Sequence, residues 1–210
     1  MSEPKSEADR IHTIAPGVYG WHVKDERIAA RSDAYAVAQD GRLVLIDPLP
    51  LTDAAVTALM KLGRVTAICL TVASHQRSAW RYRRRFGAKV HAPAGSRGLL
   101  EKPDRYYKPG SRLPASLRPV RTPGPVSSHH ALLSPAAGGT LFAGDLLIHL
   151  RAGNLRLMEA RHHENLPASR RSAAGLTRLK FRNICTAHGV PITSGAKRAL
   201  RGMLLKERAR

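Results

Sequence analysis

Ten histidines, 15 acidic residues and two cysteines are the side chains here able to hold a metal, move a proton or attack a carbonyl. Their spacing narrows the chemistry. Cys69 and Cys185 stand far apart, each inside an apolar stretch (AICL and NICTAHG), and neither belongs to a CxxC pair. Buried free thiols are therefore expected, not a zinc cluster or a disulfide. Ser74 and His75 are chain neighbours, a poor arrangement for a nucleophile and its own base. Neither a GxSxG elbow nor a phosphate-binding glycine loop occurs, so no Ser-His-Asp combination is assigned. His129 and His130 are adjacent in HHALLSP. Neighbours in a strand point to opposite faces, so at most one could face a site, and polar residues at a strand start are the favoured reading. His162 and His163, in the polar ARHHEN, read as an exposed loop, with a lid or substrate contact as the alternative. His12, His22, His91 and His149 are scattered and carry no spacing signal.

The elements around these residues follow from composition and pattern. At 210 residues, 43% hydrophobic and 24% charged, the chain has the make-up of one globular domain with a substantial core. Residues 1–10 are expected to form a loose tail and residues 11–210 the domain. IHTIAPGVYGWHV has strand residues around a Pro-Gly turn, and QDG between two apolar runs signals a hairpin. TDAAVTALMKLG predicts a helix capped by Thr52 and stopped by Gly63, with Ala55, Leu59 and Leu62 on one face. VTAICLT is a continuous apolar run, as a buried strand requires.

Residues 78–86 predict a helix with Ala79, Tyr82 and Phe86 on one face and Arg81, Arg84 and Arg85 on a solvated one. AKVHAP is a short strand, and residues 95–118 read as an irregular insert with a short helix at 95–101. Strand patterns return at LRPVRTP, HHALLSP and GTLFAGDLLI, followed by a helix near 167–180, a strand at NICTAHG and a basic helix from about 194. Two blocks of strands with helices between favour a layered α/β sandwich over a strictly alternating parallel sheet.

The charge is extreme: 35 basic against 15 acidic residues, formally +20, and 26 of the basic residues are arginine. Arginine as the default surface cation is the plain reading; a surface for polyanions is the sharper one. No nucleic-acid motif accompanies the charge, and aromatics interleave it only at Trp80, Tyr82 and Phe86. No apolar run approaches the roughly 20 residues that span a bilayer. The N-terminal MSEPKSEADR lacks the apolar core of a secretion signal. A cytoplasmic protein without membrane contact is expected.

Seven stretches, GVYGW, AYAVAQDGRLVLIDPLPL, ICLT, FGAKVHAP, TPGPVSSHHALL, GGTLFAGDLL and TAHG, run in order from about Ile11 to Leu204. In this order and spacing the chain resembles the metallo-β-lactamase superfamily. The resemblance implies a four-layer αββα sandwich with its site at one edge, where one or two zinc or iron ions serve hydrolysis. Family ligands come from an HxHxDH loop, the histidine of TPGH, the aspartate of GD and the last histidine of GHG. Here Asp145 matches that aspartate and His188 that last histidine, while Pro125, with no donor atom, stands in place of the TPGH histidine. Asp47 matches a family aspartate that orients a ligand histidine from behind; with most of those histidines absent, a structural role capping the next loop is expected. Gly144 and Gly189 read as permissive turn positions beside the site.

The loop after ICLT aligns in two ways. Counted forward, Val72, Ser74, Gln76 and Arg77 take the ligand positions, so none survives and Arg77 faces Asp145 as a metal-free counter-ion. Counted back from FGAKVHAP, His75 becomes the loop's last histidine, and His75, Asp145 and His188 make a two-histidine, one-carboxylate set. The Arg77 arrangement is favoured. The leading expectation is thus a degenerate member without the dinuclear site or the usual hydrolase activity, needing no cofactor and keeping Asp145, His188 and Arg77 as a remnant site for a small or anionic ligand. The alternatives are a mononuclear hydrolase with one zinc, iron or manganese ion on His75, Asp145 and His188, and a basic module for polyanions or nucleic acid.

Overall fold

The computed structural model describes residues 3–150 and 153–208. Residues 1, 2, 151, 152, 209 and 210 of the expected tail and domain lie outside the described residues. The first half of the chain forms β1 (His12–Ala15), β2 (Val18–Asp25), β3 (Ala30–Gln39), β4 (Arg42–Ile46), α1 (Asp53–Leu62), β5 (Arg64–Cys69), α2 (Ala79–Phe86), β6 (Lys89–Pro93) and β7 (Arg105–Tyr107). These strands make one seven-stranded sheet in sequence order, antiparallel from β1 to β4 and parallel from β4 to β7. The second half forms β8 (Arg118–Arg121), β9 (His130–Ser134), β10 (Thr140–Phe142), β11 (Leu147–Ile148), β12 (Arg156–Leu157), α3 (Leu166–Leu176), β13 (Asn183–Cys185) and α4 (Ala196–Arg208). Its main sheet runs β13-β10-β9-β8, and β11 with β12 is a separate two-stranded ribbon.

The layers follow from the alternation of side chains along each strand. In β4, Leu43 and Leu45 join a core with Leu59 of α1 and Tyr82 of α2, while Val44 and Ile46 face the other way. That second face meets Leu132, Phe142 and Cys185 of the smaller sheet. In turn Leu133, Leu141 and Ile184 of the smaller sheet pack on Leu176 of α3 and Leu200 of α4. Three apolar interfaces thus separate four layers, helices, sheet, sheet and helices, as the αββα expectation requires. Both cysteines are free and fully buried in the middle interface, and burial pushes both thiols far up.

Local signals are met closely. Gln39 pairs with Arg42, and the two residues between, Asp40 and Gly41, both have positive φ (51° and 68°), the requirement of a tight type I′ hairpin. Thr52 caps α1 by accepting from the Ala55 amide at 3.3 Å. Gly63 ends it at φ 151°, where a Cβ would come within 2.8 Å of Gly41 O.

Three local expectations are corrected. Part of the tail is docked: Ala8 is buried, its N–H donates to Pro50 O at 3.0 Å, and it accepts from Thr52 N–H at 3.0 Å. The helix at 95–101 does not form; Gly95 and Gly98 sit at positive φ, and the insert instead adds β7 to the sheet. GTLFAGDLLI is broken after Phe142 by a 3₁₀ turn at Gly144–Leu146. The arginine face of α2 is solvated as expected, with Arg84 and Arg85 exposed, and its arginines form surface ion pairs. Arg81 pairs with Glu3 and Glu7 (both 3.1 Å), Arg83 with Asp104 (3.1 Å), Arg84 with Glu101, and Arg85 with Asp53 (2.9 Å).

Candidate metal site

Four chain segments end at the same edge of the sandwich. Asp47 follows β4, the 70–78 loop follows β5, Asp145 follows β10, and His188 follows β13. β3 runs antiparallel to β4, with Tyr35 opposite Ile46, so its opening residues reach the same edge.

Asp47 organises the loop. Its carboxylate accepts from Thr71 N–H at 2.7 Å, from Thr71 Oγ1–H at 2.5 Å and from His75 Nδ1 at 2.9 Å. Because a carboxylate only accepts, His75 carries a proton on Nδ1 and turns Nε2 to the cleft. That Nε2 lies 3.0 Å from Asp145 Oδ1. His188 is arranged in the same way: its Nδ1–H donates to Arg31 O at 2.8 Å, leaving Nε2 3.4 Å from the same Asp145 oxygen. The three donor atoms lie within 4.8 Å of one another.

Neither contact has hydrogen-bond geometry. Among the described residues, Asp145 Oδ1 is buried with no hydrogen-bond partner although two ring nitrogens flank it. Atoms that crowd together without bonding to each other suit a shared centre. Ligands about 2.0–2.2 Å from a tetrahedral zinc stand roughly 3.3–3.6 Å apart, near the two separations seen. The residues present therefore fit one divalent ion, with both histidines pre-set by partners on their far nitrogens.

The same geometry also supports a charged pair. Burial and Arg77 push His75 down, but Asp145 and Asp47 outweigh them and raise its pKa. Burial alone would raise Asp145; His75 and His188 reverse this and hold it well below the usual carboxylate range.

Arg77 does not reach Asp145 as expected. Its guanidinium is buried (the residue is 4% exposed) and donates from Nη1 to Asp33 O at 3.1 Å and Asp47 O at 3.4 Å. The residue that meets Asp145 is His75. Residues 73–76 form a 3₁₀ turn, on which positions two apart point in different directions, and Arg77 leaves it at φ 28°. One loop can therefore aim His75 or Arg77 at the carboxylate, not both.

His129 is fully buried beside the site but is not a ligand. The Asp145 N–H donates to its Nε2 at 3.1 Å, so its proton is on Nδ1 and donates to Thr122 O at 3.0 Å. Burial pushes its pKa down to about 4. His130 points the other way, against the Tyr107 ring, with Nδ1–H on Ser128 O at 2.9 Å. Asp47 acts as more than a loop cap, since it holds His75. Gly144, at φ 54°, has no room for a Cβ, which would fall 2.6 Å from His129 Nε2.

The cluster opens into a cleft of about 670 Å³ whose walls include Arg27, Arg31, Arg77, Arg156 and Arg161, with exposed Ile28 and Leu150 among the apolar residues. Ser74 and His162 also line it, whereas His163 bonds Ser169 Oγ at 2.7 Å and Met158 O at 2.9 Å. Sequence reasoning missed Thr71, Arg31 and Asp33; an acid inside the strand RSDAYAV was the available signal.

A family model described as the metallo-beta-lactamase superfamily matches residues 11–198. No curated protein matches the sequence. Among solved structures, DIM-1 metallo-β-lactamase superposes with a TM-score of 0.74 at 16% identity, covering 96% of this chain and 99% of that one. TMB-1 gives 0.72 at 15% identity, covering 97% and 99%. A metallo-β-lactamase from Pontibacter korlensis gives 0.72 at 15% identity, covering 93% and 98%. At such identities these structures speak for the fold, and the family match extends over most of the sequence: the chain belongs to the metallo-β-lactamase superfamily.

Proposed function

We propose that the protein is a hydrolase built around a single divalent metal ion held by His75, Asp145 and His188. One observation carries this reading: three donor atoms converge on a common point while Asp145 Oδ1 stays buried without a hydrogen bond. When bound there, zinc, iron or manganese would supply Lewis acidity and a water of lowered pKa. The chain does the rest. Asp47 and Arg31 O keep both histidines in the tautomer that presents Nε2. Arg156 of the cleft wall would orient a substrate carrying negative charge, and Ile28 and Leu150 would take an apolar part of it, while Arg27, Arg31 and Arg161 are paired with Asp25, Asp33 and Glu159. Among the described residues one such His/Asp group occurs, which favours one ion over two.

The second reading is a degenerate, metal-free site, favoured by the charged pair that His75 and Asp145 can form without an ion. The polyanion reading rests on the overall charge of +20; of its arginines, those of α2 are engaged in surface ion pairs with acids. No helix among the described residues is long and apolar enough to cross a membrane.

Metal analysis decides between the first two readings. Purified protein loaded in turn with zinc, iron and manganese is expected to retain about one ion per chain for at least one of them. His188→Ala should lose it. Retention of no ion by folded wild-type protein would sink the single-metal reading and leave the degenerate one.

A further inference from the structure

We propose that Asp33 is the positioning residue for His188, gripping the residues on either side of it; this rests on the single-metal reading only where metal affinity is concerned. β3 runs past the end of β4, with Tyr35 opposite Ile46, so the edge of β3 ahead of Tyr35 has no strand partner on that side. The 186–189 loop takes it. Asp33 N–H donates to Ala187 O at 2.8 Å, and Asp33 Oδ2 accepts from Gly189 N–H at 2.8 Å. Between those two anchors, His188 Nδ1–H donates to Arg31 O at 2.8 Å, and just ahead of them Tyr35 Oη–H donates to Thr186 O at 2.7 Å. Successive same-side positions of one strand thus dictate the path of a loop that carries a ligand.

Asp33 is itself immobilised. It is 2% exposed, and Arg31 bonds its carboxylate through Nη2 at 2.6 Å and Nε at 3.0 Å. Gly189 is closed in from the far side as well, since a Cβ there would meet His149 O at 2.0 Å. A loop residue under these constraints holds one backbone path. That fixes the imidazole of His188 to within the tolerance a metal ligand needs.

The test compares Asp33→Ala, which removes the acceptor, with Asp33→Asn, which keeps an oxygen for the Gly189 N–H. In metal-free protein, the Gly189 amide should exchange with solvent slowly, and Asp33→Ala should speed it by at least about tenfold while the Leu133 and Leu141 amides stay protected. Zinc affinity should fall by about 10- to 100-fold in Asp33→Ala and be kept by Asp33→Asn. Unchanged Gly189 exchange and unchanged zinc affinity in folded Asp33→Ala would overturn the proposal. Should Asp33→Ala fail to fold, rapid exchange of Gly189 in the wild type would overturn it equally. If the wild type binds no metal yet Asp33→Ala frees Gly189, the clamp stands and the single-metal reading falls.

Discussion

The loop after β5 and the residue before β9 each place a buried histidine against Asp145, and the pKa values of the two rings are pushed in opposite directions. His75 lies between two acceptors, the carboxylates of Asp47 and Asp145, which raise its pKa against its burial. His129 lies between a donor, the Asp145 N–H, and an acceptor, Thr122 O, and burial takes it down to about 4. Both are out of water, so burial is not what separates them. What a ring faces on its second nitrogen decides whether it can offer a lone pair to an ion. His75 can; the lone pair of His129 is already spent on the backbone that carries Asp145.

The largest expected effect separates the two rings outright. His75→Ala should lower zinc affinity by at least about 100-fold, more than loss of an outer partner does. His129→Ala should keep the ion but cost about 2–4 kcal/mol of unfolding free energy, through the cavity and the orphaned Asp145 N–H. Calorimetric zinc titration beside denaturant unfolding checks both. Equal loss of zinc by the two variants would break the comparison.

Next in size is the pH dependence of the metal-free protein, where the two histidines have opposite signs. The pKa of His129 is depressed on folding, so its contribution is present above the ordinary 6.5 and is lost as pH falls through about 4. The full loss amounts to about 3 kcal/mol. The pKa of His75 is raised, so its contribution is present below 6.5 and lost as pH rises through the raised value. Asp145, held low, contributes above 3.8 and loses that only in stronger acid. Unfolding by urea across this range should show the loss between pH 6.5 and 4 shrink in His129→Gln; an unaltered acid limb would assign it to other groups.

The smallest effect concerns Asp47. Asp47→Asn leaves an oxygen near His75 Nδ1 but removes the charge that makes the ring a stronger ligand, so zinc affinity should drop by about tenfold. In the metal-free protein the imidazole of His75 should titrate lower, which proton NMR of the ring would show. A ring titration that does not move would mean that Asp145 alone sets the state of His75.

Much of this was legible along the chain. The QDG hairpin, the Thr52 cap and the Gly63 stop follow from preferences of a few adjacent residues, and alternating strands such as RLVLI announce which side chains face which layer. Asp145 and His188 were identified through the family resemblance, by their places in the GD and TAHG motifs. The helix expected at 95–101 failed for a local reason, two glycines at positive φ. The docked segment around Ala8 failed for a distant one, since its partners, Pro50, Thr52 and Arg81, are far along the chain.

Composition and pattern therefore specify a layered α/β sandwich, and the family resemblance implies a site around Asp145 and His188. Tertiary structure alone chooses His75 over Arg77, because that choice rests on a 3₁₀ turn whose direction is set by Asp47 from another strand. It alone reveals Asp33, whose partner Gly189 lies 156 residues away. Periodicity and capping are properties of neighbours and can be read in one dimension. A carboxylate that holds a distant amide, or a histidine that faces a carboxylate from the other sheet, exists only once the chain has closed on itself.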